Sequence, residues 1–291
     1  MDPFIQKICE RRVGGRYQLI EHIGEGGHGA VYRAKDVVDD REVVLKLEHH
    51  STPFCSISQE VDAYNEVAGN TGFAEIYWLG QQDDFDVLAF ELLGPSLTDL
   101  FLYCGGTFSL KTVLLIMDQL LERFRVIHEH EIVHRDVKPS NCLLGAGEKS
   151  NTLFVTDFGL SLLTSRGDGD DPEEQINGTP RAIGTAYFVI SPIVLHRIRH
   201  CWQRSCHWSE IYQHGPKAPD HAQLQHVLCR LSRREGIEYD DVFDWTPKRN
   251  GNKPAGPPCP ASSPNAAGAA PTAAPTATTS HNTTAATDAT K

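Results

Sequence analysis

The run His134-Arg135-Asp136-Val137-Lys138-Pro139-Ser140-Asn141 gathers a carboxylate, a lysine and a side-chain amide within one short stretch. Together they suit the movement of a phosphoryl group. Asp136 can orient an acceptor hydroxyl and take its proton, Lys138 can neutralise developing phosphate charge, and Asn141 can hold a metal ion through its amide oxygen. Asp157-Phe158-Gly159 comes next, and Asp157 supplies a second metal ligand where magnesium bridging the outer phosphates of a nucleotide would need one.

Upstream, Gly24-Glu25-Gly26-Gly27-His28-Gly29-Ala30-Val31 follows one predicted strand and leads into another. Glycines there let a hairpin backbone lie close over phosphates, although a glycine-rich turn alone is more often only a turn. A dinucleotide fold would need a helix next, which Val31-Tyr32-Arg33 does not favour. In Val43-Val44-Leu45-Lys46, strand alternation directs the lysine into a cleft, against the plain alternative of a solvent-facing lysine. Glu60 on the following helix supplies the carboxylate that would pair with Lys46 and aim it at the phosphates. Each piece is weak by itself; chance is a poor account of all of them in this order.

These groups need a sheet and helices to bring them together. Tyr17–Ile23, Ala30–Lys35, Glu42–Leu47, Ile76–Leu79 and Val87–Glu91 read as short strands, with turns at Asp39-Asp40 and Asp83-Asp84. One helix interrupts them, capped by Ser56 or Ser58, with Ile57, Val61, Tyr64 and Val67 on its apolar face and Gly69 as its stop. After Gly94-Pro95 the pattern turns helical: Ser109 caps a helix with Val113, Ile116 or Met117, Leu120, Phe124 and Ile127 on one face. Cys142–Leu144 and Leu153–Thr156 read as a hairpin that carries functional loops at both edges.

The net charge of -11 disfavours a general nucleic-acid binder, since no basic face is advertised. No apolar run approaches a bilayer span, so neither a membrane segment nor secretion is expected. The eight cysteines are irregularly spaced and read as reduced thiols of a cytoplasmic or nuclear protein. Beyond Thr246 the chain is dominated by Ala, Pro, Thr, Ser and Gly, which predicts a disordered tail over 247–291. Asn282-Thr283-Thr284 in it reads as a chance glycosylation match.

The ordered motifs resemble a eukaryotic-type protein kinase, and the surrounding words resemble the casein kinase I family. Leu92-Leu93-Gly94-Pro95-Ser96-Leu97-Thr98-Asp99-Leu100-Phe101 and Phe108-Ser109-Leu110-Lys111-Thr112-Val113-Leu114 are similar to that family's hinge and following helix. The resemblance runs from about Tyr17 to Pro192, resumes near Pro219 and ends with Asp241-Val242-Phe243-Asp244-Trp245. It implies an α+β, two-lobe fold: an extension over 1–16, then a kinase domain over 17–246. The sheet lobe would span 17–91 and the mainly helical lobe 92–246.

The resemblance also implies ATP and Mg2+ as cofactors. Phe90 would be the gatekeeper, the backbones of Glu91 and Leu93 would meet the adenine edge, and Ile23 and Val31 would cover the ring. Gly24, Gly26 and Gly29 would cover the phosphates, beside Lys46 and Glu60. Lys138 and Thr185 in Gly184-Thr185-Ala186 are of the serine/threonine type, so the expected partners are protein substrates with serine or threonine acceptors, met by a monomer.

The chain departs from that family in places. Val44 stands where alanine is usual, and His28 replaces an aromatic loop tip. Tyr187 and Phe188 stand where an arginine and a tyrosine are usual, and Asp168, Asp170, Asp171, Glu173 and Glu174 precede them. Acidic or primed substrates would be repelled there. Between Pro192 and Pro219 the chain is too short for the buried helix, with its bracing aspartate, and the further helices that the family places there. The atypical stretch is 193–218; its His200-Cys201 and Cys206-His207 fit no common zinc finger and read as filler. Weak turnover is the resulting expectation, and a nucleotide-binding scaffold is the second reading.

Overall fold

The computed structural model describes residues 12–26, 29–52, 57–163 and 221–246. All lie in the compact unit Met1–Ala261. The expected tail, the acidic stretch, Thr185 and the atypical 193–218 lie outside the described residues, as do Ser56 and His28.

Strands β1 (Tyr17–Gly26), β2 (Gly29–Asp36), β3 (Arg41–His49), β4 (Ile76–Gln82) and β5 (Phe85–Glu91) form one antiparallel sheet in the order β1-β2-β3-β5-β4. Every predicted strand is present, and most run longer at their ends, because ladder pairing carries polar turn-side residues along with the apolar ones. Central β3 is buried along Val43–Glu48, since it has neighbours on both edges and cover on both faces. Val43, Leu45 and Leu47 join Tyr17, Tyr32 and Val87 in a core on the outer face. The alternate residues Val44 and Lys46 turn to the other face, where they line a cleft.

Helix α1 (Ile57–Glu66) follows β3. Ser58 is its second residue and not its cap. At the start of the helix the Ile57 N–H donates to Glu48 Oε2 at 3.1 Å, from the end of β3, which satisfies one free N–H and favours the positive end of the helix. Gly69, with φ +79, sits just past the helix in the left-handed region where an L side chain is disfavoured.

Helix α2 (Leu97–Tyr103) begins with a capping box of Ser96 and Asp99. Helix α3 (Leu110–Glu129) begins at Ser109, whose hydroxyl accepts from the Thr112 N–H at 3.2 Å, as expected from the sequence. Val113, Leu120 and Ile127 are buried in the larger core, shared with the hairpin of β7 (Cys142–Leu144) and β8 (Leu153–Val155). A small pair, β6 (Ile132–Val133) and β9 (Leu162–Leu163), brackets the loops between them.

Helix α4 (His221–Glu235) packs against α3. The chain then returns to the start of α3: Ser109 N–H donates to Asp244 Oδ2 and Asp244 N–H to Thr112 Oγ1 at 2.9 Å. Phe243 and Trp245 stack at 4.6 Å, and Trp245 meets Phe108 edge-on at 5.5 Å. The fold is an α+β arrangement with a sheet lobe, one helix beside it, and a helical lobe, as expected from the sequence. Among the described residues no helix is long and apolar enough to cross a membrane.

Candidate active site

Register and helix phase bring Lys46 and Glu60 together. Lys46 pairs with Val31 and Leu88 in the sheet and points into the cleft, where Nζ donates to Glu60 Oε2 at 2.6 Å. The same Nζ donates to Asp157 Oδ1 at 3.1 Å, across 111 positions of sequence. Burial alone would drive the proton off Lys46; Glu60 and Asp157 reverse that and hold its pKa well above the ordinary range. Burial likewise opposes charge on Asp157, but Lys46 brings its pKa below the usual carboxylate value.

Asp157 has φ 65 and Arg135 φ 63, uncommon for residues that carry a side chain. Contacts with the turn at Phe158–Ser161 hold the segment around both of them. The Arg135 guanidinium donates to the carbonyls of Leu160 and Ser161, which ties the stretch before Asp136 to the turn after Asp157. His134 is buried and neutral, its pKa lowered by burial; Nε2–H donates to the Thr156 carbonyl at 3.0 Å and Nδ1 accepts from the Asp136 N–H at 3.3 Å.

On the loop itself, Lys138 Nζ donates to Asp136 Oδ2 at 2.7 Å and Asn141 Nδ2 to the same oxygen at 3.2 Å. Both bonds fall on Oδ2, so Oδ1 is the oxygen available to meet an acceptor. Asn141 Nδ2 also donates to the Asp136 carbonyl at 2.9 Å, and it stands 3.5 Å from Asp157 Oδ2. The amide nitrogen thus faces the two aspartates as donor.

The cleft encloses about 620 Å³. Of the positions expected to bind nucleotide, Ile23, Gly24, Gly29, Val31, Lys46, Glu60, Glu91 and Leu93 line it, with Asp136, Lys138 and Asp157 at its polar end. Gly26 pairs with Gly29 at the tip of the β1–β2 hairpin. Asn141 lies beneath the two aspartates rather than in the wall. The glycines differ in what demands them. A Cβ on Gly29, at φ +126, would sit 2.1 Å from the Leu47 carbonyl oxygen, so β3 itself requires glycine there. At Gly24 the nearest atom would be 3.9 Å away, so packing does not require it and the missing side chain leaves space over the cleft. The Glu91 N–H donates to the Glu75 carbonyl at 2.9 Å.

Sequence reasoning misses several contributors. Leu143, in the lining with Val31 and Val44, reads from sequence only as a hairpin residue. Tyr64 reads as core, yet it lines the cleft and meets Phe158 edge-on at 4.9 Å, and the His134 ring lies 4.8 Å from that of Phe158. A signal exists: Tyr64 lies one helical turn after Glu60 and shares its face. Ser96 and Asp99 cap α2 and also reach the cleft, a second use that capping chemistry conceals.

The donor set fits a nucleotide with a hard divalent cation: apolar walls at one end, a lysine held protonated, and a carboxylate and an amide oxygen at the other. The protein kinase domain family matches residues 17–209, more than half of the chain. With that match and this cleft, the chain belongs to the protein kinase family.

Proposed function

We propose that this protein kinase transfers phosphate from ATP to serine or threonine hydroxyls of protein substrates, in the manner of the casein kinase I family. The observation that carries the reading is one polar cluster: Lys46 bonded to Glu60 and Asp157, facing Asp136 with Lys138 and Asn141. When bound, ATP with its divalent cation supplies the electrophilic phosphorus and the charge that offsets the phosphates. Asn141 and Asp157 are the residues to hold the cation, and Ile23, Gly24, Gly29, Val31, Glu91 and Leu93 those to hold the nucleotide.

Within the chain, Lys46 presents a fixed positive charge, and Glu60 prevents it from collapsing onto Asp157 alone. Asp136 orients the acceptor hydroxyl through Oδ1 and takes its proton as that oxygen bonds the γ-phosphorus and the bond to the leaving ADP breaks; Lys138 and Asn141 keep the carboxylate aimed. Positioning and electrostatics supply the rate, because the groups are oriented before substrate arrives.

The test is transfer of labelled phosphate to casein by wild type and Asp136→Asn, followed by acid hydrolysis of the product. Phosphoserine or phosphothreonine from wild type and none from the variant is expected; label on tyrosine would overturn the acceptor class. A weakly active nucleotide-binding scaffold is the second reading, favoured by the sequence between Pro192 and Pro219, which is too short for the buried helices of a casein kinase I helical lobe. Stabilisation by magnesium and ATP without transfer would select that reading.

A further inference from the structure

Helix α1 must stay docked for Glu60 to reach Lys46, and the described element against which it packs most is the turn Phe158–Leu160, just after Asp157. Gln59, the residue before Glu60, makes the polar link. Its side chain is exposed, yet Nε2 donates to the Ser161 carbonyl at 2.6 Å. Ser161 is fully buried, and among the described residues its carbonyl otherwise receives only a long 3.3 Å bond from Arg135 Nη2. A buried carbonyl left without a good donor is costly, so the helix is held where Gln59 can reach it.

We infer that Gln59 is a positioning residue: its amide fastens α1 to the segment that carries Asp157, so that both carboxylates of Lys46 are set by one junction. Glu60 and Asp157 are far apart in sequence but share Lys46 Nζ at 2.6 and 3.1 Å. A rotation of α1 that withdrew Glu60 would break the Gln59–Ser161 bond at the same moment. The inference deepens the reading of the site as a phosphotransfer centre and rests on it for the kinetic arm of its test.

Three full-length variants separate donor chemistry from bulk. Gln59→Leu removes the donor, Gln59→Glu places an acceptor against an acceptor, and Gln59→Lys restores a donor; all are good helix formers at an exposed position, so folding should survive. Two quantities are measured: hydrogen exchange of the α1 amides, and kcat/KM for ATP resolved into kcat and KM. With one net hydrogen bond at stake, Gln59→Leu should exchange about five-fold faster in α1 and lose about five-fold in kcat/KM. Gln59→Glu should lose more, and Gln59→Lys should return towards wild type in both. Equal behaviour of the Leu and Lys variants, or unchanged α1 exchange in all three, would overturn the inference. If wild type bound nucleotide but transferred no phosphate, the phosphotransfer reading would fall, and the exchange series would still decide the role of Gln59.

Discussion

Two buried carboxylate clusters occupy the sheet lobe and its border, and they are built differently. Asp36, at the end of β2, is fully buried and saturated: Oδ1 accepts from Arg16 Nε at 2.7 Å and from the Val38 N–H at 3.1 Å, and Oδ2 from Arg16 Nη2 at 2.7 Å. Arg41 stands 3.4 Å away, and the guanidinium and backbone N–H bonds hold the carboxyl far below its usual range. Asp157 has one firm bond, to Lys46 at 3.1 Å, a marginal one of 3.5 Å to Asn141, and a backbone in the left-handed region. A carboxylate whose lone pairs are all engaged can only hold structure. One held by a single lysine at the wall of a cleft keeps coordination in reserve, and that reserve is what separates a chemical site from a structural one.

The contrast breaks most sharply through activity. Asp136→Asn should lower kcat by roughly a thousand-fold, the scale of a lost base, with the melting temperature nearly unchanged. A matching loss of stability would mean that the cleft carboxylates are structural after all. Asp36→Ala should do the reverse, costing about 2–3 kcal/mol in urea unfolding from lost charge-assisted bonds, while the folded fraction keeps its kcat.

Acid sharpens the comparison further. His128 of α3 lies with Nδ1 2.9 Å from His221 Nε2 of α4, and burial, then His221, lowers its pKa to about 4. The unfolded chain takes up this proton near pH 6.5 and the folded chain does not, so stability is intact above about 6.5 and falls as the pH drops towards 4, by up to about 3 kcal/mol. His134, also lowered by burial, adds a loss of the same sign. The depressed Asp36 contributes nothing in that window, since its stabilisation is lost only below the ordinary carboxylate range. His128→Gln should therefore flatten the acid limb of the pH–stability curve measured by thermal melting. The smallest effect belongs to Lys149, half exposed and paired with Glu91 behind the cleft. Lys149→Ala should cost under about 1 kcal/mol and move nucleotide affinity by less than about two-fold in titration calorimetry.

Much of the site is legible in the sequence because kinase chemistry is concentrated in contiguous loops. Asp136, Lys138 and Asn141 lie within one short loop, and their mutual bonds need little beyond local geometry. Lys46 and Glu60 are legible as a pair through strand alternation and helix phase. The bond from the Ile57 N–H to Glu48 at the start of α1 is not, because Glu48 belongs to the preceding strand and no local pattern marks a carboxylate for that use. Gly29 and Gly24 look alike in sequence, and only the neighbouring Leu47 carbonyl distinguishes them.

The sequence by itself determined which groups are present and in what order along the chain: the glycine-rich hairpin, Lys46, Glu60, the Asp136 loop and Asp157. Local covalent geometry and hydrophobic periodicity suffice for that, since each motif is short and its partners lie on the same element or the next. The tertiary structure alone decided that Lys46 serves two carboxylates, that Tyr64 and His134 both meet Phe158, and that Gln59 reaches Ser161. Those contacts join residues distant along the chain, and only the packing of α1 against the turn after Asp157 brings them within bonding distance.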